Sequence, residues 1–583
     1  MKRKLKMSNL LKAAILIGGF FFIGCHFTQQ ALPTDAGSGC ESGPQALTAA
    51  EFNSWFVTGS VSLNGVVKPA NSVTFPDVPN CSFYKWTEQM FLWLTSPAPA
   101  SYGGGGGLVM NSPIFYDVSL PNASGEREFL PHVPGRIRAF NLRTAQHGAL
   151  DLPVIAEKRS LRILEILPPV FAPSGKQLII DAAGNELEIG NARVTDNNQL
   201  LLTDISGKEI KGARALLQSK RDTAAVSFIK RLNKLENFDK TELVQKIVVG
   251  KKDFFLDLAG NFHEAEQGQA DDGVLMAQNG SLVYYSLSVN NVYALYRTMQ
   301  GATVPAGTSF PTTAASLASI NAFAAANGKA PVIDDIALAI EIKAAWVEAA
   351  GLPDADKFIK MTAIVPEYNK GNPNDWSPNG TKTIELALVG LHVVGSTKGH
   401  PELLWGTFEH LSNDPAAAYT YHTTANTNTT IPQNTAGNWV FCATGATTPF
   451  NNMHMQMQRD ASFNLTGHIV STGGFTISPT NVLRSMPWGL PGSTANGNAE
   501  VISTNNKVRS MLDPADIRKN YFQTGTTWTI FGAAPNAGNQ VGTNKLANST
   551  METFQQGNSN CFSCHATNKT TVSHIFDDTK PLF

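Results

Sequence analysis

Thr383-Ile384-Glu385-Leu386-Ala387-Leu388-Val389-Gly390-Leu391-His392-Val393-Val394 sets the fold class: a run so rich in Leu, Val and Ile, with no proline, reads as a β-strand. Similar runs precede it at Phe254–Leu256, Ser281–Ser288, Ile336–Val347 and Phe358–Val365. Farther back, Leu178–Ile180 and Leu187–Ile189 flank Ala183-Gly184-Asn185 as the arms of a hairpin, and Leu200–Leu202 supplies another strand. Helical text is scarcer. After Cys81, the residues Phe83, Trp86, Met90, Phe91, Trp93 and Leu94 form an aromatic-rich amphipathic helix, and Thr313–Asn327 is an alanine-rich one. Lys208–Lys252 carries twelve Lys/Arg against five Asp/Glu, with Ala215, Leu216, Ile229, Leu232 and Leu235 at helical spacings. It reads as one or two surface helices inserted in a β framework, its charge a solvated face or a patch for an acidic partner. The fold class is therefore α+β and β-rich: a large, predominantly antiparallel β body with inserted surface helices and a short C-terminal segment.

Composition agrees. With 583 residues a sizeable core is assured, and 49 Gly, 32 Pro and only 16% charged residues suit a loop-rich β protein. Lys+Arg (45) and Asp+Glu (46) nearly cancel, so no basic field exists to hold nucleic acid. Beyond Asn413 the text is rich in Thr, Asn and Gly, and no fixed period points to a repeat architecture. Gly103 to Gly107 is a flexible loop without phosphate-binding context.

The N-terminus is an address. Lys2, Arg3, Lys4, Lys6 and Lys12 lead into an apolar run from Ala13 to Ile23, too short to span a bilayer comfortably, as in an export signal. Gly24 before Cys25 resembles the lipobox of bacterial lipoproteins, in which the chain is cut before an acylated cysteine; Phe22 stands where Leu is usual. The alternative is an ordinary cleaved signal with an incidental cysteine. Losing residues 1–24 removes five cations, leaving 40 against 46 acids in a mildly acidic exported product. By resemblance to lipoprotein sorting rules, His26 after the cysteine implies the outer membrane rather than the inner one.

Near the C-terminus stands Cys561-Phe562-Ser563-Cys564-His565. Two thiols three apart, followed at once by an imidazole, form the attachment pattern of c-type haem: Cys561 and Cys564 make thioethers to the two vinyl groups and His565 reaches the iron. Export agrees, because haem is attached outside the cytoplasm. A thioredoxin-like pair would want a βαβ unit, and a zinc site a second ligand pair; neither is visible. Only 18 residues follow His565, so the upstream body or the tail itself must cover the haem. His574 lies nine residues on, a stretch that can extend roughly 30 Å and return to the opposite haem face, and is the first candidate for the sixth ligand. A surface histidine on a terminal tail is the plainer reading of it.

Met453-His454-Met455-Gln456-Met457 is the second candidate: on a strand its three methionines share a face, as a core stripe, as thioether haem ligands, or as a copper site. His392, His400, Glu402 and His410 could bind metal or line the haem, but structural hydrogen bonding is the first reading, and Pro401 is expected to break the register. Setting aside Cys25, Cys561 and Cys564 leaves Cys40, Cys81 and Cys442, hence at most one disulfide, with Cys40–Cys81 and Cys81–Cys442 both open.

Cys81–Leu94, Gly273–Tyr285, Leu391–His410 and Asn558–Phe576 together resemble a family of exported bacterial single-haem proteins, the cytochrome c family proteins, marked by a C-terminal CxxCH and a lipoprotein-type signal. The resemblance covers at most a quarter of the chain and implies one covalent haem c without a substrate. The chain thus divides into a lipoprotein signal (1–24), a tether and irregular lead-in (25–80), a β-rich body (81–535) and a haem c attachment segment (536–583). The expected function is single-haem electron transfer at the periplasmic face, anchored through Cys25, with a redox protein or a small electron donor or acceptor as partner. The alternatives are a haem oxidoreductase, peroxidase-like or donor-oxidising, with an open sixth site, and a haem-bearing binding or sensing protein.

Overall fold

The strand centred on Thr383–Val394 runs farther in both directions, over Asp375–Thr397, and lies in the middle of a twelve-stranded sheet. The computed structural model describes residues 26–583 apart from 41–44, 77–79, 104–106, 123–125, 143–149, 151, 153, 157–162, 195–199, 219–228, 230–231, 233–239, 250–251, 264–272, 306–307, 435, 447–449, 460–464, 490–494, 537, 555, 557–560 and 566–571. The export signal, Cys25 and most of the basic stretch between 219 and 239 lie outside the described residues. Strand outweighs helix, 33% against 18%, which makes the fold β-rich α+β.

Numbered in chain order, the main path of the sheet holds β1 (Phe115–Val118), β2 (Phe129–Pro131), β3 (Tyr284–Asn290), β4 (Ile340–Glu348), β5 (Asp375–Thr397), β6 (His400–His410), β7 (Tyr521–Thr529) and β8 (Gln540–Gly542). Their spatial order is β2-β1-β3-β4-β5-β6-β7-β8, every neighbouring pair antiparallel. Lys360–Asn369 pairs with the first half of β5, Arg138–Ala139 lies parallel to it, and Asn141 bridges back to Tyr285, so the sheet curls toward closure.

Side chains alternate across a strand, so one register puts two chemistries on the two faces. Ile340, Ile342 and Ala344 of β4, Leu391 and Val393 of β5, and Leu404 and Phe408 of β6 enter the main core. The residues between them, Glu341, Lys343, His392, Trp405, Thr407 and Glu409, face the other way. Helix α1 is Ala49–Trp55, and α2, Asn80–Leu94, covers the apolar face. Phe91 stacks on Phe408 at 4.2 Å and Phe83 on Trp528 at 3.8 Å. A Cβ on Gly406 would sit 2.1 Å from Thr87, so glycine there lets the helix lie close against the sheet. The expected one-sided amphipathic helix is buried nearly all round, because α5 (Ala495–Met511) packs on its outer side. Between them lie α3 (Asn291–Met299) and α4 (Ala314–Ala326), the latter capped by Thr313 and Ser316 as a reciprocal box.

Three sequence expectations change. Residues 26–80 are irregular but do not form a tether: Leu32, Ala36, Leu47, Phe52, Trp55, Phe56, Val67 and Phe75 are buried in the main core. Aperiodic spacing hides such burial from a pattern reading. The basic stretch does not read as helix throughout either: Leu243–Val249 is a strand paired with Lys252–Asp257, and Ala215 and Leu216 are buried in non-helical chain, although Ile229 and Leu232 have helical backbone. Instead, five- and three-stranded sheets lie between β2 and β3 with small cores of their own. Finally, the 536–583 segment gives the main sheet its last strand, β8, so the body does not end at 535.

Cys40 and Cys81 form the disulfide, 41 residues apart, and Cys442 is buried, its thiol pushed up to about 12 by burial and by Asp414. Closing a loop of that length removes about 4 kcal/mol of unfolded-chain entropy. Cys81→Ser is expected to lower stability to urea by up to about that amount, while Cys442→Ser costs far less. Non-reducing peptide maps linking Cys81 to Cys442 would contradict this pairing. A second expectation concerns Glu88 of α2, which burial raises to about 8, only partly opposed by Arg509. Its neutral form is the stable one inside, so stability is fully present below about 4.5 and is lost as pH rises through about 8. Glu88→Gln should flatten that part of the stability–pH curve in denaturant titrations.

Candidate functional site

The polar face of the sheet is covered by the C-terminal segment. Gly390 on β5 admits it: a Cβ there would lie 2.3 Å from Thr550 Oγ1. Asn548 donates to Thr407 Oγ1 and to the Phe408 carbonyl, both at 2.9 Å. Ser549 donates to Glu409 through its amide (2.8 Å) and its hydroxyl (2.6 Å). Arg484 Nη2 in turn bonds Glu409 at 2.7 Å and Asp414 at 2.6 Å, all three fully buried. Burial and the neighbouring Glu409 raise the Asp414 carboxyl, against the pull of Arg484. Tyr285 donates to the Thr550 carbonyl at 2.8 Å, and His392 and Glu552 pair at 2.8 Å. Burial raises Glu552, but His392 and Lys343 outweigh it and hold the carboxyl low.

On this platform stands α6, a single helical turn over Cys561–Cys564, closed by the His565 amide bonding the Cys561 carbonyl at 3.0 Å. Cys561 is half-buried; Phe562 is buried, its ring edge-on to Trp405 at 6.3 Å and its amide on Gln540 Oε1. Trp405 also lies 4.2 Å from the His565 ring. His574 stacks on His565, with centroids 4.0 Å apart and 13° between planes. His565 Nδ1 lies 2.6 Å from the Val572 carbonyl. A carbonyl only accepts, so Nδ1 carries the proton and the Nε2 lone pair stays available to a metal. Burial, with His574 beside it, pushes the imidazole well below its usual range, which keeps it neutral.

The tail beyond is pinned to the body. Tyr293 donates to Ser573 (2.6 Å), which donates to Glu341 (2.5 Å); Arg297 bonds the Phe576 carbonyl at 2.6 Å. Burial raises Glu341 to about 7, opposed by Ser573 and Lys343.

The donor set fits a c-type haem in kind: two cysteines on one helical turn, an oriented neutral histidine, and a second histidine beside it. The geometry differs in one respect. A ring nitrogen donates its lone pair within the ring plane, so two imidazoles sharing a metal stand edge to edge with centroids roughly 6 Å apart, as each nitrogen lies about 2 Å from it. His565 and His574, stacked face to face at 4.0 Å, would have to turn as well as part by about 2 Å.

His392 lies near this site through Glu552, whereas Met455, Met457, His454, His400 and His410 do not join it. Met455 is fully buried in the main core, with Met457 packed against it, and His454 bonds the Ser478 carbonyl at 2.9 Å. His400 pairs with Glu402 at 2.8 Å on the α2 side, edge-on to Phe83. His410 stacks on Phe358 at 3.7 Å and is lowered to about 3 by burial. Both serve packing and hydrogen bonding. Strand β6 spans Pro401, and its register against β5 shifts between His400 and Leu404 as expected, with Leu403 at φ +72°. Among the described residues, no three His, Cys, Asp or Glu side chains gather as a bare metal ion would need. Sequence reading placed His392 and Trp405 near the chemistry only as text; Lys343, Glu341, Glu552 and Arg484 it missed, since only strand pairing brings them together. Comparison with protein-family models, curated proteins and solved structures finds no match for this chain.

Removing Arg484 leaves two buried carboxyls and the Ser549 anchor without their cation. Arg484→Ala is expected to cost about 3–5 kcal/mol. A shift in the urea midpoint of less than a tenth of the wild-type value would show that the anchor is not what holds the segment down.

Proposed function

We propose that the chain is an exported, lipid-anchored, single-haem c-type cytochrome that transfers electrons at the periplasmic face. The observation that carries this reading is the stacked pair His565–His574 beside the cysteine-bearing turn α6. A bound haem supplies a one-electron iron couple. Cys561 and Cys564 would fasten it, His565 would bind through Nε2 with Val572 fixing its orientation, and His574, stacked on His565, would be the candidate second ligand. Trp405 and Phe562 wall the site with rings and exclude water from that side. Glu552, held ionised by His392 and Lys343, gives the site a buried polar floor. With His574 as a second ligand the iron would have no open position for peroxide, which favours transfer over the peroxidase-like alternative.

Protein matured with haem attached is expected to show a low-spin, six-coordinate spectrum in both oxidation states. His574→Ala should convert the ferric form to high spin or to a weak-field sixth ligand, with the thioether-bound mass unchanged. A spectrum unaltered by that substitution removes His574 as ligand. Protein that comes out colourless, without the mass of one haem on Cys561 and Cys564, removes the cytochrome reading altogether.

A further inference from the structure

The outer edge of β3 is paired only in part. β1 follows it where Phe115 to Asp117 lie opposite Asn290 to Ser288. Farther along, Tyr285 and Asn141 exchange backbone hydrogen bonds of 2.6 and 3.2 Å as an isolated bridge. Between those two pairings, at Ser286 and Leu287, the edge borders a cavity of about 720 Å³. Its other walls come from residues 107–113, 117–120, 130–139 and 361–364.

The mouth of this cavity is apolar. Leu120, Leu130, Val133 and Ile137 all line it, and each is 39% to 48% exposed. One such side chain in water is ordinary; four around a single opening mark a binding surface.

The buried end is polar, and its charges cancel. Arg138 donates to both oxygens of Asp117, reaching Oδ2 through Nε at 3.0 Å, and also to Ser288 at 2.9 Å and Asn111 at 2.6 Å. Burial raises the Asp117 carboxyl, but Arg138 and His132 outweigh it and keep the group ionised. The His132 side chain, also on the cavity wall, is only 2% exposed. Its Nε2 lies 3.2 Å from Asp117 Oδ1, yet among the described residues neither ring nitrogen has a partner in hydrogen-bond geometry. Burial and Arg138 push this imidazole below its usual range, so it is neutral and offers one N–H and one lone pair. Buried polar atoms left unmatched are costly, so a bound group that meets them is favoured.

From the cavity, its apolar mouth and the unmatched His132 we infer that this is a binding site for a small, neutral, phenol-like molecule. Its hydroxyl would lie on His132 and its apolar body against the mouth. A hydroxyl both donates and accepts, so it meets either ring nitrogen. A neutral ligand fits because Asp117 and Arg138 leave no unmatched charge for an ionised one, whose desolvation nothing would offset. The volume lies within the range of small-molecule sites. No residue after Ile364 lines the cavity, so the inference stands apart from the haem reading.

Calorimetric titration of the full mature chain with 4-propylphenol tests it. One site per chain with a Kd below about 1 mM is expected. The charged 4-propylbenzoate and the headless propylbenzene should each bind weaker by about tenfold or more. His132→Phe removes the headgroup contact and should weaken 4-propylphenol about tenfold. Ile137→Asp alters an exposed residue of the mouth and should weaken it at least as much, with the urea midpoint unchanged. Because that variant leaves the buried cluster intact, it decides the matter if His132→Phe does not fold. No saturable binding up to about 1 mM, benzoate or propylbenzene binding as tightly as the phenol, or an affinity that Ile137→Asp leaves unaltered each overturns the inference.

Discussion

The molecule depends on a conflict built into its central strands. β4, β5 and β6 alternate apolar and polar residues in one register, so burying Ile342, Leu391 and Phe408 beneath α2 necessarily turns Lys343, His392, Thr407 and Glu409 to the other face. That second face is not left to water. The C-terminal segment crosses it and satisfies it, with Asn548 on Thr407, Ser549 on Glu409, and Glu552 on His392. Leaving buried partners such as Glu409 and Arg484 unmatched would cost more than the net worth of any one bond, so the cover and the sheet stabilise each other.

In the cytochrome reading proposed above, the body would supply the walls and floor of a haem site through Trp405, Lys343 and Glu341, and the tail would supply the ligands. The tail is fixed by Val572 on His565, by Ser573 on Tyr293 and Glu341, and by the Phe576 carbonyl on Arg297. His574 lies between the last two of these points, which keeps it stacked on His565.

The strands, α2, α4, the hairpin at 178–189 and the histidine pair were legible in the sequence because each rests on local periodicity, turn chemistry or short spacing. The rest was not, for physical reasons. Residues 26–80 pack into the core without a repeating pattern, so their burial leaves no periodic trace. Leu243–Val249 sits in a lysine-rich setting that reads as surface helix, yet two neighbouring strands pair with it. The network of Arg484, Glu409, Asp414 and Ser549 spans 140 residues, and nothing local announces that these side chains meet. Between Cys40–Cys81 and Cys81–Cys442, sequence arithmetic had no basis for choice; the choice depends on α2 lying beside residues 36–40.

Two further places concentrate constraint. Beside Asp354, residues 26–30 are locked to the body by a carboxylate that binds both an imidazole and an amide, and by a buried phenyl ring. At the β5–β6 turn the fold spends its irregular geometry: the left-handed Leu403 and Phe531, and the close Gly399–Gly532 contact. Strained backbone and an exposed ring persist only where the surrounding structure holds them or a partner covers them.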